Sequence, residues 1–217
     1  AQNFLNSTFS SSATLKTRRK KFGESSAYFS VASAVTVNDP EGDNKKFDFQ
    51  SDDFTMEGFF IFDYLTGTRN LMSLGNANNF VKLEYNPYLG INFRSNRNDV
   101  EVANVYHYTS TTDTESFYVN QKANTFFHAA VSRADSSLRL FVDGTTIRTQ
   151  TTSNSLPSGN SLTIGSTGIS GSENYFKGYM DELRVTIDSR YSSTFTVPTT
   201  QFATDDDTVV LLHFNGK

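Results

Sequence analysis

Between Phe54 and Tyr64 every even position carries an apolar residue or glycine: Phe54, Met56, Gly58, Phe60, Phe62 and Tyr64. A repeat of two is the side-chain period of a β-strand, so these groups share one face. The odd positions Thr55, Glu57, Phe59, Ile61 and Asp63 are apolar only in the middle. That pattern predicts a central strand of a two-layer sandwich, buried fully on one side and partly on the other. No window longer than about ten residues spaces its apolar groups for a helix. With 20 Phe, 10 Tyr and abundant Thr, Ser, Val and Asn, the expected class is all-β.

The rest of the chain repeats the theme in shorter pieces. Ala27–Val37 reads as one or two strands, and Leu71–Leu74, Phe80–Tyr85, Tyr88–Phe93 and Val100–Tyr108 as further ones. Phe126–Arg133 puts Phe127, Ala129 and Val131 on one face. Leu138–Ile147 predicts a hairpin whose Asp143-Gly144 turn supplies the positive φ angles of a tight primed turn, with Leu138, Leu140 and Val142 facing the core. In Tyr175–Ile187 the apolar phase switches from even (Phe176, Met180) to odd (Leu183, Val185, Ile187). One extra residue near Asp181-Glu182, a β-bulge, keeps both halves facing inward. Thr208–Phe214 is the last strand. Turn signals about every ten residues predict a two-sheet antiparallel sandwich.

A chain of 217 residues is long enough to bury a core without staples, and cysteine is absent, so disulfides and thiolate metal sites play no part. No apolar stretch approaches the roughly 18 residues that span a bilayer. The start, Ala1–Leu5, lacks the basic-then-apolar order of a secretory signal. Charge is unevenly placed. Residues 1–22 carry Lys16, Arg18, Arg19, Lys20 and Lys21, whereas all 23 acidic residues lie beyond them. An acidic body thus carries a basic arm, taken as residues 1–24, ahead of a domain over 25–217. The arm is polar, with Phe4, Leu5 and Phe9 as its apolar anchors. Such a segment needs a support. It leans on a neighbouring chain through Phe4, Leu5, Phe9 and Arg18–Lys21, or it adds a strand to its own body.

Six segments carry a family resemblance. Asp53–Phe59, Phe126–Arg133, Leu138–Gly144 and Phe176–Val185 follow one another at the spacing of known strands. They are followed by Arg190-Tyr191, Phe195, Pro198 and Phe202, and the chain closes on Leu211–Gly216. Together they resemble a laminin-G-like domain of the concanavalin A-like jelly-roll class, over roughly residues 25–217. Phe59 stands where the family commonly has Trp, and the basic arm lies outside the family pattern. The ending looks most like copies in bacteriophage and marine viral virion proteins. The resemblance implies a two-sheet antiparallel jelly roll with an extended N-terminal arm, working by binding.

Catalytic chemistry finds little support in the sequence. Glycosidases on this sandwich need two carboxylates flanking the bond, about 5–9.5 Å apart. The jelly-roll glucanases place theirs as an alternating Glu-x-Asp-x-x-Glu run, which this chain lacks. Glu57 stands alone on its strand, and Asp181 and Glu182 are adjacent. His107, His128 and His213 have neither metal-ligand spacing nor triad partners. No metal ligand set is assigned, although Asp39, Glu41 and Asp43, or Asp205–Asp207, leave calcium open beside the reading as solvated acidic loops. Four adjacent basic charges without interleaved aromatics read bases poorly, and an acidic body repels a polyanion, so nucleic acid is not an expected partner.

Glycan contact calls for exposed aromatics and amides on a sheet face or its loops. Asn96, Arg97, Asn98, Tyr106 and Tyr108 are the candidates, beside the plainer reading of strand tyrosines packed with their hydroxyls at the rim. The expected function is a non-enzymatic virion structural protein on the particle exterior: a capsid decoration, fibre or similar component. Its arm would fasten it to other virion proteins or to copies of itself, and host polysaccharide would be a further contact. The alternative is an extracellular glycan-binding lectin module unrelated to a virion.

Overall fold

The computed structural model describes residues 13–30, 32–39, 47–107, 125–171 and 173–216. Fourteen strands are present among them and no helix: β1 Thr14–Lys16, β2 Ser26–Phe29, β3 Val35–Asn38, β4 Phe54–Phe62, β5 Arg69–Gly75, β6 Phe80–Asn86 and β7 Gly90–Arg97 come first. β8 Val100–Tyr106, β9 Phe127–Ala134, β10 Ser137–Val142, β11 Thr145–Thr151, β12 Ser161–Ile164, β13 Gly178–Thr186 and β14 Thr208–Leu212 follow. One sheet has eight strands in the order β1-β2-β13-β4-β9-β10-β11, with β14 also on β13; the other has six, β3-β12-β5-β6-β7-β8. Every ladder is antiparallel.

The even face of β4 (Phe54, Met56, Phe60) meets Leu83, Ile91 and Phe93 of the six-stranded sheet in one core. Phe127, Ala129 and Val131 of β9 and Leu138, Leu140 and Val142 of β10 join it. At roughly 25 cal/mol per Å² of apolar surface, this inter-sheet core is the main stabilising term. The hairpin forms at Asp143 and Gly144, both at positive φ (47° and 77°). Ala27–Val37 becomes two strands in different sheets, separated at Ala32 with φ of 63°. β7 starts at Gly90 rather than Tyr88, because the Asn86 side chain accepts from Tyr88 N at 2.8 Å and holds residues 86–89 as a turn.

The phase switch in β13 is a bulge. Its register on β4 shifts between Asp181 and Arg184, with Glu182 at a φ of 49°. Met180 on one side of the bulge and Leu183 and Val185 on the other all reach the core. The bulge also divides the strand's free edge. Gly178–Met180 pair with β2, and Leu183–Thr186 pair with β14. Ile187 falls beyond the strand and is 49% exposed, so it leaves the odd-phase apolar set read from sequence.

Residues 187–205 form no strand and cover the outer face of the eight-stranded sheet. Tyr191 and Phe195 stack at 3.5 Å between ring centroids. Phe195 packs on Phe141 and His128, and Phe202 on Phe59. This cover is why the middle of the odd face of Phe54–Tyr64 is apolar.

The described part of the arm lies on its own body. β1 adds to β2, the backbone N–H groups of Lys21 and Phe22 donate to Asp181 at 2.8 and 3.2 Å, and Arg19 stacks on Tyr179. That is the strand addition named as the second support for the arm. Phe4, Leu5 and Phe9 lie outside the described residues.

Candidate functional site

The outer face of β6, β7 and β8 carries a polar array. Strand alternation dictates its membership. Val81, Leu83, Ile91, Phe93, Ala103 and Val105 point into the core, so the residues between them point out. Register then aligns Lys82 with Arg94 and Asn104, and Glu84 with Asn92 and Tyr106. Lys82 and Arg94 are like charges directly opposite, an arrangement that opposes sheet stability. Glu84 answers them in part. It is buried, lies 3.6 Å from Arg94 Nη1 and accepts from Asn92 Nδ2 at 3.2 Å. Lys82 Nζ sits 3.9 Å above the Phe80 ring, and burial lowers its pKa from the ordinary lysine value against the pull of Glu84.

Three amide oxygens on this face, Asn92 Oδ1, Asn96 Oδ1 and Asn104 Oδ1, are buried without a hydrogen-bond partner. Each unmet acceptor of this kind costs on the order of 1–3 kcal/mol. Asn96 and Asn104 are half-buried residues, and the asparagine χ2 torsion is soft, so a modest rotation brings their oxygens to the surface. The face therefore combines unmet acceptors with two adjacent cations, a set suited to a ligand rich in hydroxyl groups.

The sequence candidates distribute as follows. Asn96 and Tyr106 belong to this array. Arg97 and Asn98 sit at the β7–β8 tip, where Asn98 and Asp99 take positive φ (51° and 63°) as a tight turn. Arg97 Nη1 reaches the Ser155 carbonyl at 3.5 Å, and Asn98 N donates to Asn79 Oδ1 at 3.0 Å. Tyr106 lies at the opposite end of the hairpin, opposite Asn92, about 17–20 Å from that tip by strand rise. Arg148 of β11 stacks on its ring at 5.3 Å. Tyr108 is outside the described residues. Arg18 and Lys20 are exposed, whereas Arg19 and Lys21 are half-buried against the body.

Sequence reading left Glu57 alone on its strand; the fold does not. Glu57 Oε1 receives Arg184 Nε at 2.8 Å and Nη2 at 2.6 Å, and Oε2 lies 3.0 Å from His128 Nε2 and accepts the Tyr191 hydroxyl at 2.8 Å. Burial pushes the Glu57 carboxyl up, but His128 and Arg184 outweigh it and hold the group below the ordinary glutamate value. Burial first, then Glu57, raises the Tyr191 phenol. Glu57 and His128 have no exposed surface, and this carboxylate–imidazole pair ties the cover to the sheet. Its one sequence signal is a charged residue on the face whose apolar middle implied a cover.

Asp181 and Glu182 point apart across the bulge. Asp181 receives the arm, while Glu182 receives His213 Nδ1 at 2.8 Å and Phe202 N at 2.9 Å. Asp205 is bound by Arg190. Among the described residues no three His, Cys, Asp or Glu side chains gather as metal ligands; Glu41 and Asp43 fall outside them.

The laminin G family described as the concanavalin A-like lectin/glucanases superfamily matches residues 25–194. The chain belongs to this family. No curated protein matches the sequence. Among solved structures, the laminin-G-like domain is similar to a putative carbohydrate binding protein from Bacteroides ovatus, at 14% identity and a TM-score of 0.58 over 97% of this chain and 51% of that one. It thus spans about half of that protein. Domain 4 of AbnA, an extracellular GH43 arabinanase from Geobacillus stearothermophilus solved with arabinotriose, gives 12% identity and 0.58 over 87% and 81%. Mouse laminin α1 domains LG4-5 give 12% and 0.53 over 83% and 47%. At these identities the likeness is one of fold.

Proposed function

We propose that this laminin-G-like domain is a non-catalytic glycan-binding module that uses the outer face of β6–β8. The observation that carries the reading is the pair of partnerless amide oxygens on the half-buried Asn96 and Asn104, beside Lys82 and Arg94. Sugar hydroxyls supply donors to the amides, and the two cations donate to ring or hydroxyl oxygens. The Bacteroides protein and the arabinanase domain, described as binding carbohydrate or solved with it, share the architecture and support the reading. The closed environment of Glu57 supports a module without catalysis.

The test is a glycan array with the intact protein, followed by titration of any hit. Arg94→Ala and Asn104→Ala should each weaken binding about tenfold, the equivalent of 1.4 kcal/mol. Silence on a broad array, with and without calcium, overturns the reading.

The narrower proposal is a particle-surface component of a virion, anchored by residues 1–24. Its support is the tail resemblance together with the exposed Arg18, Lys20 and Leu15 along the edge of the eight-stranded sheet. Protein lacking residues 1–22 should be absent from purified particles; normal occupancy overturns the anchoring role.

A further inference from the structure

At the end of the sandwich away from the β7–β8 tip, the β12–β13 loop and the start of β5 enclose a cleft of about 430 Å³. Arg69, Glu173, Asn174, Tyr175, Phe176 and Lys177 line it. The described residues of the loop are tied by main-chain bonds: Thr167 N to Glu173 O, Asn70 N to Asn174 O, Phe176 N to Gly165 O, and Asp63 N to Lys177 O, all between 2.8 and 3.0 Å. Asn174 holds a left-handed φ of 47°, and Phe176 is fully buried beneath. The cleft is thus preformed.

Its polar groups are biased toward positive charge. The Glu173 carboxylate is held by the Gly171 N–H at 3.0 Å. Arg69 Nη1 donates to the Tyr175 carbonyl at 3.2 Å, and its Nε has no partner. Lys177 Nζ lies 4.3 Å over the ring of Tyr64, which stands outside the cleft lining and is 53% exposed. Neither Arg69 nor Lys177 makes an ion pair among the described residues. Against the single Glu173 carboxylate, two lining cations that make no ion pair among the described residues, beside an exposed aromatic ring, form a local anion-attracting site.

We infer that this cleft is a second ligand site, separate from the β6–β8 face, that takes an anionic saccharide. The acidic group sits between Arg69 and Lys177, and the sugar ring lies against Tyr64. Charge-assisted contacts supply the discrimination, and the exposed ring supplies apolar area at low entropic loss.

The test is calorimetric titration of the full chain with three probes: tetragalacturonate, a heparin-derived tetrasaccharide and arabinotriose. At least one of the two acidic probes should bind with a salt-weakened affinity, and the neutral one should not occupy this cleft. The first two arms separate a carboxylate from a sulfate. Lys177→Met, which keeps the aliphatic contact with Tyr64, and Arg69→Ala should each lower that affinity about tenfold. Arg139→Ala, on β10 and outside the cleft lining, should leave it unchanged. No binding of either acidic probe at millimolar concentration, acidic-probe binding that salt does not weaken, or unchanged affinity in Lys177→Met with a native melting curve overturns the inference.

Discussion

His128 and Glu57 meet diagonally across the β4–β9 ladder, Nε2 to Oε2 at 3.0 Å, with neither side chain exposed. His128 stands opposite Phe59, two residues along from Glu57, and the diagonal brings imidazole and carboxylate together. Arg184 from β13 and Tyr191 from the cover complete the arrangement. Glu57→Gln leaves the Arg184 guanidinium without its counter-charge and should destabilise the fold by about 3–5 kcal/mol. Tyr191→Phe removes one hydrogen bond to a charged group and should cost about 1.5–3 kcal/mol. Urea denaturation at neutral pH measures both. A Glu57→Gln protein as stable as the parent would show that the cover is held by its rings alone.

Two buried carboxyls give stability opposite dependences on pH. Burial pushes Asp181 up to about 7, despite the N–H groups of Lys21 and Phe22. The folded protein therefore keeps this proton while the unfolded chain loses it, and stability from this group falls as pH rises from about 4 to about 7. Glu57 is shifted down, so its contribution is present above the ordinary glutamate value and is lost as pH falls through the lower folded value. Asp181→Asn keeps an oxygen acceptor for the arm and removes the ionisation. Its stability relative to the parent should grow between pH 5 and pH 8, as read by chemical denaturation across that range. A constant difference would mean that Asp181 does not titrate there.

Gly178 marks a point where the backbone admits no side chain. Its φ is 143°, and a Cβ would stand 1.9 Å from the Ile61 carbonyl oxygen. Gly178→Ala must push β13 off β4, at roughly 2–3 kcal/mol of strain. Thermal melting measures this. Gly171→Ala, which meets open space at a φ of 78°, is the comparison for backbone strain without a clash.

Removing residues 1–22 takes away β1, the ring of Phe22 on Phe59 and the two N–H groups on Asp181. Of the described residues removed, only Ala13 packs against the inter-sheet core, so the truncated protein should fold, yet melt at a lower temperature than the parent. An unchanged melting temperature would mean that the arm's contacts add nothing to the body.

The strands were legible because a repeat of two is local. Phe54–Phe62 and Leu138–Val142 announce their faces within a few residues, Asp143-Gly144 announces its turn, and the phase switch at Asp181-Glu182 announces a bulge. The candidate sites were legible only in part. Asn96 and Tyr106 were singled out, but their neighbours Lys82, Asn92, Arg94 and Asn104 sit among ordinary alternating positions. The cleft residues Arg69, Glu173 and Lys177 lie in loop or strand-end sequence with no pattern at all.

By itself the sequence determined the class, the inward face of most strands and the family, since each of these follows from residues near one another. Only the tertiary structure decided what covers the outward faces. Arg184 and Tyr191 reach Glu57 from 127 and 134 positions away. Alternation says that a side chain leaves the core, but not what waits on the other side. That depends on strand order and on the path of residues 187–205, which are fixed by packing over the whole chain.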